Sequence, residues 1–191
     1  AHYGIPMCGA VIHAINTRLD PATIAFQLDH ANSEILFYDR ELGGTVKEVL
    51  SYCQVKPHLI EFVDSENDYK DALVDLGADD YEVFLKKGDS NYQWLMPENE
   101  WDAISVGYTS GTTGDPKGVV SHHRGAYLLA QGNAMVASMP KHSVYLWTLP
   151  MFHCNGWCFP WTMSAIIGTH VCLRQVRAEP IWQSIKTHKI S

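Results

Sequence analysis

Ala103-Ile104-Ser105-Val106-Gly107-Tyr108-Thr109-Ser110-Gly111-Thr112-Thr113-Gly114-Asp115-Pro116-Lys117-Gly118-Val119-Val120 is the stretch on which the fold turns. Ala103 to Thr109 is a short apolar run and reads as a buried strand. Residues 110–118 then carry three glycines, which let a backbone turn tightly and approach a ligand closely. Thr109, Ser110, Thr112 and Thr113 offer four hydroxyls, and Lys117 adds a mobile positive charge. Backbone N–H groups in such a turn make an anion nest. Val119 to Ala137 reads as mostly helical. Strand, glycine-rich turn and helix are the parts of a phosphate loop. The Walker A pattern does not fit, because Pro116 precedes Lys117 and Gly118 follows it. A Ser/Thr/Gly surface turn without a ligand has the same composition.

The same alternation runs outward in both directions. Asp20-Pro21 has the form of a helix start, and Ile24, Leu28 and Ala31 continue a helical stripe. Glu34 to Tyr38 and His58 to Val63 read as strands around a helix marked by Val46, Val49, Leu50 and Cys53. Ser65-Glu66-Asn67-Asp68 resembles an acidic capping box before a helix through Tyr69, Ala72, Leu73 and Leu76, ended by Gly77. Residues 88–100 read as a surface loop. Downstream, Val144 to Leu149 and His170 to Arg174 read as strands, Trp157 to Ile167 as a helix, and Pro180 to Ser191 as a helix without a stop signal. Strands alternating with helices predict an α/β fold with a mostly parallel sheet flanked by helices.

Composition narrows the function classes. The net charge of −7 argues against a general nucleic-acid binder, which needs a basic face. That average hides a gradient: residues 61–102 hold 13 acids and 3 bases, whereas residues 103–191 hold 2 acids and 7 bases. An anion site is therefore expected in the last part. No apolar run reaches about 18 residues, so no transmembrane helix is expected. Five scattered cysteines, Cys8, Cys53, Cys154, Cys158 and Cys172, do not suggest a disulfide framework and point to a reducing cytoplasm. His153, Cys154 and Cys158 give only three ligands without finger-like spacing, too few for a structural zinc site. Both ends read as cut, one domain-sized piece of a longer protein.

Residues 108–118 closely resemble the signature phosphate loop of the adenylate-forming superfamily, which includes acyl-CoA synthetases, peptide-synthetase adenylation domains and luciferases. Gly9 to Leu19, Ser121 to Tyr127, and Leu149-Pro150-Met151-Phe152-His153-Cys154-Asn155-Gly156-Trp157 resemble other segments of the acyl-CoA synthetases. The resemblance covers essentially the whole chain and leans toward medium-chain and methylmercaptopropionate-type CoA ligases. It implies part of the large N-terminal domain over residues 1–191, with the C-terminal domain outside.

The resemblance also implies a chemistry. A carboxylate attacks the α-phosphorus of ATP to give acyl-AMP and pyrophosphate, and the thiol of coenzyme A then takes the acyl group. Thr109, Ser110, Gly111, Thr112, Thr113, Gly114 and Lys117 would line the β- and γ-phosphates, with the Thr109 hydroxyl near Mg2+. Lys117 would neutralise charge during adenylation. His153 would sit near the substrate carboxylate and the α-phosphate, and Trp157 would line or gate the acyl tunnel. A spacing of four puts those two on one face if the segment is an α-helix. His122, His123 and Arg124 form a basic cluster that reads as a solvated helix start. The resemblance is compatible with a homodimeric parent. The adenine, ribose and most coenzyme A contacts would come from downstream, so the isolated chain is expected to be inactive. An adenylating enzyme with another acceptor, a nucleotide-binding module without chemistry, and an unrelated α/β domain remain alternatives at this stage.

Overall fold

The computed structural model describes residues 1–69, 74–109 and 114–191, with backbone alone at 154 and 155. In chain order the elements are α1 (Gly4–Met7), β1 (Ile12–His13), α2 (Pro21–His30), β2 (Ile35–Asp39), a 3₁₀ turn (Arg40–Leu42), α3 (Gly43–Tyr52), β3 (His58–Phe62) and β4 (Asp79–Asp80). There follow α4 (Tyr81–Lys86), β5 (Ala103–Tyr108), β6 (Gly118–His122), α5 (His123–Val136), β7 (Val144–Trp147), a 3₁₀ helix (His153–Cys158), α6 (Phe159–Ala165), β8 (Thr169–Cys172) and α7 (Ala178–His188). The chain divides into two compact units. One holds Ala1–Ala14, Trp94–Thr109 and Val119–Ser191; the other holds Ile15–Gln93 and Ser110–Gly118.

The second unit is built on the ladder β2-β3-β4, with both neighbouring pairs parallel. Asp20 starts α2 as its sequence suggests. Its carboxylate accepts from the Thr23 N–H at 2.9 Å and from the Thr23 hydroxyl at 2.6 Å, while Pro21 takes the position where no N–H is needed. Ile24, Ala25 and Leu28 of α2 then pack with Val46 and Val49 of α3 on Leu36 and Tyr38 of β2. Ile60 at the centre of β3 is wholly buried. The Asp29 carboxylate accepts from the Gln54 and Val55 N–H groups, tying the end of α2 to the turn after α3. Arg40 pairs with Glu61 at 2.7 Å, joining the segment after β2 to β3.

The first unit carries two ladders, β1-β5-β6 and β7-β8. β1 pairs parallel with β5, Ile12 opposite Ser105 and His13 opposite Val106, and β7 pairs parallel with β8. Ile104, Ala126, Ala130 and Cys158 form its buried cluster, with Trp161 packed against it. Gly168 enters β8 where Met163 and Ser143 crowd the backbone.

Parallel ladders flanked by helices give the expected α/β class, within which the pairings among the described residues fall into three ladders. Several element bounds need correction. Val119 to His122 is strand, and the helix starts only at His123. The segment from Trp157 is a 3₁₀ helix running into α6, so no single α-helix spans Trp157 to Ile167. The helix expected over 69–76 falls partly on 70–73, outside the described residues, and the flanking residues 67–69 and 74–76 are not helical. The Ser65 capping box is replaced by a turn in which the Asp64 carboxylate accepts from the Glu66 N–H at 3.0 Å. β4 and α4 were not expected.

Candidate functional site

Parallel strands present their carboxyl ends to ligands in open α/β sheets. β5 ends this way at Tyr108, and Thr109 follows it directly. The His13 ring lies against the Tyr108 ring, with centroids 5.1 Å apart. Burial pushes the His13 imidazole down to about 4 and the Tyr108 phenol up, so both are neutral at pH 7. These two rings therefore bring no charge to the end of β5.

Ser110, Gly111, Thr112 and Thr113 lie outside the described residues. Gly114 has φ +145°, which favours glycine, and among the described residues nothing comes within 4 Å of the position of a β-carbon. Asp115, Pro116 and Lys117 then lead into Gly118, the first residue of β6.

The basic cluster after β6 has structural work. His122 caps α5, its Nδ1 accepting from the Gly125 N–H at 2.9 Å. That bond fixes the tautomer with the proton on Nε2. Trp101 lies against the His122 ring at 4.5 Å. Arg124 binds the Glu100 carboxylate at 2.9 Å, and its backbone N–H donates to the Glu100 carbonyl. A helix start is what these residues make.

His153 and Trp157 are brought together. Their ring centroids are 6.3 Å apart in an edge-to-face arrangement. Both side chains are exposed. The contact does not come from α-helical spacing, because the segment is 3₁₀ with about three residues per turn. Instead Gly156, Trp157 and Cys158 all take positive φ, at +63°, +52° and +61°. Asn133 of α5 donates from Nδ2 to the Trp157 carbonyl at 2.7 Å. Trp147 packs beside Gly156, where an added β-carbon would come within 3.3 Å of its ring. The Trp147 indole N–H donates to His170 Nδ1 at 2.9 Å, and the two rings stack. Burial holds the Cys158 thiol above its ordinary range, away from the thiolate a metal would need.

Sequence reading missed Asn133, Thr162, Trp147 and His170. The one local signal was an asparagine in the middle of a helix, where its propensity is poor unless the side chain has a partner. The first unit also has a cavity of about 830 Å³ lined by Trp94, Leu95, Met96, Tyr127, Leu128 and Trp161 among others. Among the described residues, Thr109, Gly114, Lys117 and His153 do not line it.

Largely parallel ladders flanked by helices define an α/β class, and comparison with known proteins makes the family specific. The AMP-binding enzyme family matches residues 1–191, and the chain belongs to it. A peroxisomal acetate/butyrate–CoA ligase of Arabidopsis thaliana is 45% identical over 200 residues, covering 100% of this chain and 35% of the relative. An acetate–CoA ligase of Humulus lupulus is 43% identical over 200 residues, again 100% of this chain and 35% of the relative. The fold is similar to that of a Mycobacterium tuberculosis fatty acyl CoA synthetase, with a TM-score of 0.76, 21% identity, and coverage of 99% of this chain and 34% of that one. The chain thus spans about a third of the length of the relatives it matches. Among the described residues no helix is long and apolar enough to cross a membrane.

Proposed function

We propose that the polypeptide carrying this chain activates a short carboxylic acid with ATP, forming an acyl-adenylate and then an acyl-CoA thioester. The observation that carries this reading is identity of 43–45% along the entire chain with proteins named as acetate and butyrate CoA ligases. In this reading the chain is part of the large N-terminal domain, and the 191 residues alone turn over no substrate.

The chemistry brings a carboxylate up to a polyanion, so charge must be neutralised and the reactants aligned. Ser110, Gly111, Thr112, Thr113 and Gly114 supply hydroxyl and backbone donors to the β- and γ-phosphates. Lys117 supplies the mobile charge. Thr109, an oxygen donor at the carboxyl end of β5, suits a hard cation that keeps most of its water and phosphate ligands. Mg2+ bound there would withdraw charge from the phosphates. His153 sits near the carboxylate and the α-phosphate, where its single N–H donates to the oxygen that develops charge. The indole of Trp157 forms an apolar wall for the acyl group, and its edge-to-face contact with His153 couples acyl recognition to the reacting end.

The test is acid-dependent release of AMP and formation of an acyl-CoA by the full-length polypeptide, given ATP, Mg2+, coenzyme A and butyrate. Adenylate without thioester would transfer the acceptor role to another thiol or oxidant. The scattered cysteines favour a reducing cytoplasm, whereas the Arabidopsis relative is named peroxisomal; imaging the fluorescently tagged full polypeptide separates them. A homodimeric parent completes the reading and is checked by light scattering.

A further inference from the structure

Two non-glycine residues in the left-handed region stand side by side at the candidate site, Trp157 at φ +52° and Cys158 at φ +61°. Each costs about 1–2 kcal/mol in that conformation, and such a pair persists only where the surroundings over-determine it. Here the carbonyls of both strained residues are held. Asn133 Nδ2 donates to the Trp157 carbonyl at 2.7 Å across 24 residues of sequence. The Thr162 hydroxyl donates to the Cys158 carbonyl at 3.1 Å. The two clamps are joined, because Asn133 Nδ2 also reaches Thr162 Oγ1 at 3.3 Å. Thr162 is wholly buried, so its hydroxyl has no water to turn to. The Trp147 ring also lies beside Gly156, and its indole N–H is held by His170.

We propose that Asn133 and Thr162 are positioning residues that lock the left-handed Trp157–Cys158 turn and so set the Trp157 indole against His153, fixing which carboxylic acids are accepted. This rests on the acid-activating reading above. Neither residue touches the acid. They act through two backbone carbonyls, one of which belongs to the residue that walls the acyl site. An isosteric change that removes one hydrogen bond should therefore alter acid preference while leaving ATP use intact.

The experiment uses the full-length polypeptide with Asn133→Asp, Thr162→Val and Thr162→Ser. The first two keep shape and lose the donor or hydroxyl; the third keeps the hydroxyl. The ratio of kcat/KM for butyrate to that for acetate should change by about tenfold in Asn133→Asp and Thr162→Val, the scale of methylene discrimination in an apolar pocket. KM for ATP should not change, and Thr162→Ser should keep the original ratio. An unaltered acid ratio in folded, active Asn133→Asp and Thr162→Val overturns the proposal. A second readout needs no turnover: acrylamide quenching of Trp157, taken as the difference between each protein and its Trp157→Phe counterpart. Faster quenching in the two clamp variants supports the lock, and unchanged quenching overturns it. Absence of acyl-CoA from the unsubstituted protein would instead sink the acid-activating reading, with the quenching result still deciding the lock.

Discussion

Acidification should weaken this fold through His13. The imidazole sits on β1, largely buried against Tyr108, and burial lowers it from 6.5 to about 4. In the unfolded chain it titrates near the ordinary value. Between those two values the unfolded state binds the proton and the folded state does not. The His13 contribution is therefore fully present above about pH 6.5, falls as pH drops through the window, and is gone by the folded value near 4. At about 1.4 kcal/mol per pH unit, moving from pH 7 to pH 4.5 removes about 2.5 kcal/mol, or about 2 kcal/mol once the ring's partial exposure is allowed for. His170 is lowered by burial too and adds in the same direction. Urea unfolding of the chain and of His13→Phe, at a series of pH values across this window, isolates the His13 share. His13→Phe keeps a ring against Tyr108 and cannot titrate. The expected result is a difference in pH dependence of about 2 kcal/mol. Parallel curves for the two proteins would refute the reasoning.

Two further outcomes follow from packing and charge. Gly168→Ala should destabilise by about 1–3 kcal/mol, because its β-carbon would lie 2.9 Å from the Ser143 carbonyl and against Met163, which is wholly buried; chemical denaturation measures it. Lys117→Ala in the full-length polypeptide should slow acid-dependent adenylation by about 10²–10³-fold, read by pyrophosphate release in single turnover with saturating ATP.

Local chemistry made much of the fold legible. Asp20-Pro21 announces α2 because a side-chain cap and a missing N–H both act within one turn. β2, β3 and β5 are apolar runs of five or six residues that lie close to the expected bounds. β6 was misread because Val119-Val120 runs without a breaker into the apolar residues of α5, and because α5 is capped by histidine rather than by Ser, Thr, Asp or Asn. β4 is two aspartates at the edge of a ladder, with no hydrophobic period to betray it. The motif singled out His153 and Trp157, and the structure brings their rings together. The left-handed backbone at Trp157 and Cys158 left no such signal, since the Trp157 carbonyl is held by Asn133, 24 residues away. A long-range hydrogen bond leaves no trace in spacing.

Carboxylate-dependent ATP–pyrophosphate exchange tests the central claim most directly, because it reports the first half-reaction without coenzyme A. The full-length polypeptide should exchange label rapidly with butyrate and Mg2+, and only at background without an acid. ATP binding with no acid-stimulated exchange, for acids from acetate to the medium-chain range, would contradict the account.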